Sequence, residues 1–425
     1  MFKATTVNRM IILNKVKPYL IDKTIIWRAW LAVKANKGSA GVDGMTIEAF
    51  EHNLARNLYK IWNRLSSGCY MPPPVKRVEI PKSDGKTRPL GIPTVSDRVA
   101  QMAVKMILEP QWDPLFSDSS FGYRPGKSAH DAVAQAKANC WKYEWVIDLD
   151  IRGFFDNLDH ALLLKAVDHL HPAPWVRLCI VRWLKAEIIF PDGHRHSPEK
   201  GTPQGGVISP LLANLFLHYT QDKWLEKHYP NNSWERYADD SIIHCRSRRE
   251  AGLLLSQLRE RMKACGLELH PEKTRIVNCH PLTRRKNDGH YSFDFLGFTF
   301  RRRAARKIAG GLFTGFLPAI SNKAQKAIVR TFRAWNIQRL TSLSAEEIAD
   351  RINPQLRGWI NYYGKFYPSE MNRLWRILDW RLVKWVRCRY KQYRWHQSRA
   401  SEVLERIRQR NKSLFAHWKF MIRKG

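Results

Sequence analysis

The segment SWERYADDSIIHC, residues 233–245, is the most informative in the chain, because it reads as an apolar strand, a turn and a second apolar strand. Two adjacent aspartates, Asp239 and Asp240, stand at the turn. Neighbouring carboxylates repel one another unless cations neutralise them. An ordinary aspartate turn would look the same, since Asp favours turns in any protein. The segment therefore predicts a hairpin whose tip is either a plain turn or a cation site.

A second acidic segment, EWVIDLDIRGFFDNLDH (144–160), favours the cation site. It predicts a buried strand that runs into acidic residues. Asp148 and Asp150 share one face of an extended strand, so periodicity does not choose between them. Two-metal phosphoryl transfer needs carboxylates around two Mg²⁺ ions about 4 Å apart, and Mg²⁺ prefers carboxylate oxygens. One aspartate of this strand and one or two of the hairpin would supply them.

The charge of the chain points to a polyanionic partner. Its 425 residues include 72 Lys and Arg against 38 Asp and Glu, a formal net charge of +34. The length suggests two or three domains. Residues 301–425 alone carry 29 Lys and Arg against 7 Asp and Glu, with seven tryptophans. This combination indicates a nucleic-acid surface.

Several classes of protein are disfavoured. The seven cysteines contain no CxxC pair, which argues against a zinc site and a disulfide framework. His194 and His196 have no third ligand nearby in sequence and predict a surface hairpin. No apolar run approaches the roughly 18 residues of a membrane span, and the start lacks a signal-peptide core. We expect a soluble intracellular protein with no membrane partner.

The hydrophobic pattern predicts a mixed α/β body to about residue 300 and a helical region after Arg303. Residues 46–65 (TIEAFEHNLARNLYKIWNRL) predict one helix with Thr46 as its N-cap. VKRVEIP (75–81) predicts a strand, and a turn follows around Asp84 and Gly85.

The ordered set of motifs resembles the group II intron reverse transcriptases. The segments that carry the resemblance, besides YADD (237–240) and DIRGFFDNLDH (150–160), are KANKGSAGVDGMT (34–46), EIPKSDGKTRPLGIPTVSDRVAQ (79–101), GTPQGGVISPLLANLFLHY (201–219), GLELHPEKTRIV (266–277), FDFLGFTF (293–300) and NPQLRGWINYYGKF (353–366). YADD alone is a weak signal, but the set covers nearly the whole chain in the order found in the family.

The resemblance implies an α+β fold of the right-hand polymerase type. Fingers and a palm with an antiparallel sheet would precede an α-helical thumb and maturase region. The implied regions are an N-terminal helical extension and start of the fingers (1–75), the fingers and palm (76–300), the thumb and maturase domain (301–395) and a basic C-terminal tail (396–425). After KSLFAHWKFMIRKG we expect no Cys/His endonuclease module.

The resemblance also assigns the catalytic residues. It makes Asp150, which Phe155 follows five positions on, the metal ligand of its strand, and Asp148 a supporting or solvated residue. Asp150, Asp239 and Asp240 would hold two Mg²⁺ ions, with Mn²⁺ as a possible substitute. Lys273 would donate a proton to the departing pyrophosphate.

Further residues are implied to bind nucleotide or RNA. Lys82 and Arg88 would grip the triphosphate, and Gln204 would lie along the nucleotide. Phe155 would pack under the sugar; the alternative is that Phe155 belongs to the core and Phe154 is exposed. The candidates for contacts with RNA phosphates are Arg373, Arg376, Arg387 and Arg389. Helical spacing predicts a core stripe of Trp375, Leu378, Leu382 and Trp385.

The implied function is RNA-templated DNA synthesis coupled to the splicing and mobility of a group II intron in the bacterial cytoplasm. Its partners would be the intron RNA, an RNA template with a DNA primer, target DNA and deoxynucleoside triphosphates. Two alternatives remain open: a retron-like reverse transcriptase, and a splicing-only RNA-binding protein with a decayed polymerase. The maturase-like segment from Asn353 argues against the first, and the intact Asp150, Asp239 and Asp240 against the second.

Overall fold

Strands and helices alternate along the chain to Ile320, and in the described residues beyond it only helices follow. The computed structural model describes residues 18–81, 87–279, 290–306 and 310–422. The strands are β1 (Val75–Pro81), β2 (Thr87–Ile92), β3 (Trp145–Leu149), β4 (Ile188–Ile189), β5 (Arg195–His196), β6 (Trp234–Tyr237), β7 (Asp240–Cys245), β8 (Arg275–Asn278), β9 (Ser292–Phe295), β10 (Phe298–Arg306) and β11 (Leu312–Ile320).

The α-helices vary from six to nineteen residues in length. They are α1 (Lys23–Ala35), α2 (Ile47–His52), α3 (Leu54–Ser66), α4 (Val95–Trp112), α5 (Ala129–Asn139), α6 (His160–His169), α7 (Pro174–Leu184), α8 (Ser209–Leu217), α9 (Lys223–His228), α10 (Arg248–Ala264), α11 (Asn322–Ala334), α12 (Ala345–Tyr363), α13 (Asn372–Arg389), α14 (Gln397–Arg410) and α15 (Ala416–Ile422). No helix in the described ranges is both long and apolar enough to cross a membrane.

Within the described residues the strands form three sheets, ordered β2–β1–β4–β5, β6–β7–β3–β8 and β11–β10–β9. The pairs β1–β2, β6–β7 and β10–β11 are antiparallel, while β1 pairs with β4 in parallel. A mixed α/β architecture with antiparallel sheets and a helical C-terminal region confirms the coarse fold class predicted from the sequence.

The chain divides into two compact units. The first comprises the residues up to Ala132, Ile147–Ile243 and Arg249–Arg275, and the second comprises Val133–Val146, His244–Arg248 and the chain from Ile276. In the second unit, α11 to α15 enclose one apolar core. The predicted stripe is part of this core: Trp375, Leu378, Leu382 and Trp385 are each at most 1% exposed.

Local patterns predict the structure correctly where neighbouring residues set it. The strand 75–81 is present as β1, and the exposed β5 pairs with β4 as the predicted hairpin at His194 and His196. The Thr46 hydroxyl caps its helix by accepting a hydrogen bond from the Ala49 amide. The turn at Asp84 and Gly85 lies outside the described residues.

Two expectations need correction. The single helix predicted over 46–65 is two helices, because Asn53 leaves the helical region at φ −119° and ψ 39°. The helical pattern does not start after Arg303, since β10 continues to Arg306 and pairs with the largely apolar β11. The arginine-rich sequence of β10 does not resemble a buried strand. Arg303 is buried all the same, at 7% exposed, and forms an ion pair with Glu370.

Candidate active site

The two aspartates of YADD stand at the tip of a β-hairpin, as the sequence predicts. Strands β6 and β7 pair so that Tyr237 faces Asp240, which leaves Ala238 and Asp239 as the two turn residues. Ala238 has a φ of +56°, in the left-handed region that is costly for a residue with a Cβ atom. Such a conformation persists only where the surroundings impose it.

A buried arginine imposes that conformation. Arg236 donates hydrogen bonds to both carboxylate oxygens of Asp222, at 2.8 and 2.5 Å, and both side chains are fully buried. Its third nitrogen donates to the Asn214 side chain at 3.0 Å and to the Ala238 carbonyl at 3.1 Å. Asp222 ends a short π-helix, His218–Asp222, a form common near functional sites. The hairpin tip is therefore anchored from inside the protein.

The loop that contains Gly122 packs against the same turn. A Cβ atom on Gly122 would lie 2.3 Å from the Ala238 amide nitrogen, so only glycine fits there. Tyr123 follows with a φ of +59° and a side chain that is about half exposed. Burial raises the pKa of the Tyr123 hydroxyl, and the negative charge of Asp239 raises it further. The Tyr123 hydroxyl therefore lies close enough to the hairpin carboxylates to interact with them electrostatically.

The two aspartates of the acidic strand segment have different partners. Asp148 forms an ion pair with Arg275 at 3.2 Å. Asp150 accepts hydrogen bonds from the Lys273 ammonium at 3.0 and 3.3 Å, and its backbone carbonyl accepts one from the His270 amide at 2.8 Å. The Lys273 assigned as a proton donor is thus directly beside Asp150. Its catalytic role stays a prediction.

Asp150 lies close enough to Asp239 and Asp240 for its charge to act on both of them. Burial raises the pKa of Asp239, and the charge of Asp150 adds to the effect. Burial of the carboxyl group, followed by repulsion from Asp239, Asp150 and Asp148, raises the pKa of Asp240 to about 7, although the residue as a whole is exposed. The charge of Asp150 thus acts on both hairpin carboxylates, and a group of neighbouring carboxylates suits divalent cations.

The carboxylates are not arranged as a ready-made cage. Among the described residues, no group of three or more His, Cys, Asp or Glu side chains has the spacing to hold a metal ion. Both carboxylate oxygens of Asp150 instead contact the Lys273 ammonium.

The residues predicted to bind nucleotide are partly brought together. The Arg88 guanidinium donates to the Gln204 side-chain oxygen at 2.7 Å, and its positive charge opposes the raised pKa of Asp239. The Gln204 carbonyl accepts a hydrogen bond from the Gly91 amide at 2.7 Å. Lys82 lies outside the described residues.

Phe155 lies in a 3₁₀ turn, Phe154–Asp156, and not in a strand. Phe155 is 5% exposed and Phe154 is 2% exposed, with the two rings edge to face at a centroid distance of 5.3 Å. The alternative that Phe154 is exposed is therefore wrong, since the alternation of strand side chains does not apply to this turn. The carbonyl of Phe155 accepts the Thr202 amide at 2.8 Å, which ties it to the Gly-rich loop.

A buried network that sequence reasoning missed holds the end of that loop. The Gln101 side-chain oxygen accepts hydrogen bonds from the amides of Val207 and Ile208, at 2.8 and 3.3 Å. The Gln101 amide nitrogen donates to Asp97 at 2.9 Å, and Asp97 also accepts from Tyr70 and Trp183. Burial raises the pKa of Asp97, while these three donors oppose the rise. A sequence signal was available: Asp97 and Gln101 are four residues apart on an otherwise apolar helix face.

The four arginines predicted to contact RNA differ in their environments. Arg373 and Arg376 are exposed, and Arg373 lines a pocket of about 470 Å³ with three other cations, Lys326, Arg330 and Arg333. Arg387 donates to the Arg394 carbonyl at 3.0 and 2.9 Å. Arg389 donates to the carbonyls of Thr341 and Leu343, so its hydrogen bonds serve the fold.

Comparisons with known proteins identify two family matches in the chain. Residues 80–300 match the family described as reverse transcriptase (RNA-dependent DNA polymerase), and residues 325–402 match the group II intron, maturase-specific domain. Protein YkfC of Escherichia coli (strain K12) is 34% identical over 324 residues, which span 65% of this chain and 81% of that protein.

Two further relatives carry intron names. The group II intron-encoded protein LtrA of Lactococcus lactis subsp. cremoris is 33% identical over 280 residues, 65% of this chain and 46% of that protein. A putative COX1/OXI3 intron 2 protein of Saccharomyces cerevisiae is 29% identical over 231 residues, 54% of this chain and 26% of that protein. The matched part of the chain thus spans about half of LtrA and about a quarter of the yeast protein.

Proposed function

The chain belongs to the group II intron-encoded reverse transcriptases and is an RNA-directed DNA polymerase, and on that premise we propose that it copies intron RNA into DNA by two-metal nucleotidyl transfer. The observation that carries the proposal is the electrostatic coupling of Asp150, Asp239 and Asp240 around the hairpin tip. The fingers, palm and thumb of this chain would follow the right-hand arrangement of polymerases.

Reverse transcriptases use divalent metal ions, and we propose Mg²⁺ here, with Mn²⁺ as a substitute. Asp150, Asp239 and Asp240 would hold the ions, because their oxygens are the ligands that Mg²⁺ prefers and their mutual repulsion would be relieved. Bound ions would polarise the phosphate and activate the primer hydroxyl as a nucleophile.

The surrounding side chains would bind and orient the nucleotide. Arg88 would turn from Gln204 towards the triphosphate, with Lys82 as a second cation. Lys273, beside Asp150, is placed to hold a proton for the departing pyrophosphate. Gln204 would hydrogen-bond without adding charge, and Phe155 would exclude a ribose hydroxyl.

The helical region would bind the intron RNA and assist its splicing. Its exposed cations, such as Arg373 and Arg376, are suited to phosphates. Reverse transcription of the bound intron at a target DNA site would then serve intron mobility. The partners in this proposal are the intron RNA, the template and primer, target DNA and deoxynucleoside triphosphates.

Primer extension on an RNA template tests the polymerase assignment. We expect Asp239→Ala to abolish extension while the affinity for RNA stays within a few-fold, because the carboxylate would hold Mg²⁺ and not RNA. The matched control is Asp192→Ala, which removes an exposed aspartate of the β4–β5 hairpin and should leave both properties unchanged. Extension by Asp239→Ala at the wild-type rate would overturn the assignment.

A further inference from the structure

A pocket of about 610 Å³ lies at the C-terminal end of α13, among residues that the carboxylate site does not use. Of the residues lining it in the described chain, four are cationic: Lys384, Arg387, Lys391 and Arg394. Trp395 and the exposed Cys388 also line it. The volume falls in the range of ordinary small-ligand sites.

The charges of this pocket are uncompensated. Within the described residues, none of its four cations forms an ion pair with a carboxylate, whereas Arg408 nearby in sequence pairs with Asp379. Like charges gathered without a counterion repel one another, so the pocket favours an anion. A phosphate group meets that need, since Arg and Lys bind phosphate oxygens by charge-assisted hydrogen bonds.

Part of the pocket is fixed before any ligand arrives. Arg387 uses Nε and Nη2 to donate to the Arg394 carbonyl, and in the described structure Nη1 has no hydrogen-bond partner. The Lys384 ammonium lies 3.6 Å from the ring centre of Trp380, held by a cation–π contact. Positioned cations lose less side-chain freedom on binding than solvated ones.

Trp395 gives the pocket an aromatic surface. Its side chain is 78% exposed, and the Arg394 guanidinium lies 5.1 Å from its ring centre. An exposed indole ring beside cations gives the pocket both a flat apolar face and positive charge. Aromatic side chains of this kind stack on nucleobases whose faces are not covered by neighbouring bases.

We propose that this pocket binds one unpaired nucleotide of a nucleic-acid strand, with the phosphate between Lys384, Arg387 and Lys391 and the base stacked on Trp395. The inference rests on the proposed nucleic-acid binding of the helical region and deepens it. A duplex offers phosphates but no free base face. A single strand is therefore the ligand that can contact both the cations and the Trp395 ring. The strand is RNA if the intron supplies it and DNA if the target supplies it.

The exposed Cys388 allows a direct test on the full-length protein. The rate of alkylation by iodoacetamide is measured at Cys388 and, as an internal control, at Cys69, the other exposed cysteine of the described chain. We expect a short single-stranded RNA to slow alkylation at Cys388 at least several-fold and to leave Cys69 unchanged. Single-stranded DNA of the same sequence identifies the source of the strand by its relative protection, and a blunt RNA duplex should protect little.

Substitution of the aromatic residue tests the stacking. Trp395→Ala should weaken binding of the single strand about tenfold, in the range of losses found when a stacking aromatic is removed. Trp27→Ala removes another exposed tryptophan, outside this region, and should change nothing. The proposed nucleotide site would be rejected by any of three results. These are equal protection of Cys388 and Cys69, equal protection by the duplex, and unchanged affinity of Trp395→Ala. If the same protein still extends primers and binds structured RNA, the proposed function stands without it.

Discussion

Arg236 and Asp222 form a two-point ion pair in which both side chains are fully buried, and the same guanidinium holds the Ala238 carbonyl at 3.1 Å. This places a charged pair directly beneath the residue that precedes Asp239. Burying two charges is costly, and the cost is offset only when hydrogen bonds satisfy both groups. Here every nitrogen of the guanidinium has a partner. The pair therefore supports the shape of the β6–β7 turn.

Removal of one partner should destabilise the protein strongly. We expect Asp222→Ala to lower the free energy of unfolding by about 3–5 kcal/mol, because it leaves the Arg236 charge buried and unpaired. Urea unfolding measures the change. The control is Asp168→Ala, which breaks an exposed ion pair with Arg177 and should cost about 1 kcal/mol or less. Equal losses in the two variants would contradict this account of the pair.

The choice of Asp150 over Asp148 as the metal ligand can be tested by matched variants. Asp150→Asn should reduce primer extension by on the order of a thousandfold, since loss of a metal ligand removes several kcal/mol of transition-state stabilisation. Asp148→Asn breaks the ion pair with Arg275 and should reduce extension about tenfold or less. Single-turnover rates at saturating Mg²⁺ give the comparison. A greater loss in Asp148→Asn would reverse the assignment.

The metal-free protein should become less stable as the pH rises, in part through Asp240. Its pKa is raised from an ordinary 3.8 to about 7, so the folded chain keeps a proton that the unfolded chain has released. This contribution to stability is present below about pH 4 and is lost as the pH rises through about 7. We expect the Tm in EDTA to fall between about pH 5 and about pH 8.

Two comparisons isolate the contribution of Asp240. Asp240→Asn cannot release a proton, so its Tm should fall less over the same pH range than that of the wild type. Asp192→Asn, at an exposed site, should behave as the wild type does. Mg²⁺ should raise the Tm most at the higher pH, because it binds the ionised carboxylates. Identical pH profiles for all three proteins would exclude Asp240 as the cause.

RNA binding by the helical region should depend on salt through specific arginines. Arg330 and Arg373 line one pocket, and each arginine that no longer binds a phosphate should reduce the slope of log affinity against log salt by about 0.7–0.9. Arg330→Gln combined with Arg373→Gln should thus flatten the slope by about 1.5. Arg195→Gln, in the exposed β4–β5 hairpin, is the control. Filter binding of intron RNA over a salt series would show an unchanged slope if these charges are only solvated.

The sequence predicted those features that neighbouring residues determine. The hairpin of β6 and β7 follows from the two strand segments that flank Asp239, and the buried stripe of α13 follows from helical spacing. Thr46 capped its helix because a hydroxyl three residues before an amide needs no distant partner. These are local relationships, and the sequence displays them directly.

What the sequence did not reveal depends on contacts between distant residues. Asp222 is 14 residues from Arg236, and Gln101 is 106 residues from Val207, so no spacing rule joins them. Tyr123 has a left-handed backbone conformation, and the preceding Gly122 packs against Ala238. This contact between distant parts of the sequence is visible only in the folded chain. The contacts that support the hairpin turn were therefore missed, whereas the position of Asp239 and Asp240 at its tip was predicted.

Phe155 offers a test of sugar selection that has an adjacent control. Its ring is nearly buried and its carbonyl is tied to Thr202, so the side chain is held in one place. If it lies under the sugar of the incoming nucleotide, a ribose 2′-hydroxyl would overlap a close-packed ring. Such an overlap costs about 1–3 kcal/mol, which is about tenfold to a hundredfold in selectivity. Phe155→Val should therefore reduce the preference for dATP over ATP by that factor and retain much of the activity with dATP.

Phe154→Val separates this role from simple packing. Phe154 is equally buried and lies edge to face against Phe155, so its truncation loosens the same part of the core. It should lower stability, and with it the incorporation of both nucleotides, without changing their ratio. Single-nucleotide incorporation of dATP and ATP on an RNA template gives the ratio for each variant. If Phe155→Val also leaves the ratio unchanged, the residue is a core phenylalanine and selection against ribose must reside elsewhere. A ratio that shifts only in Phe155→Val would support a contact between that ring and the sugar, because both variants replace a buried phenylalanine by valine.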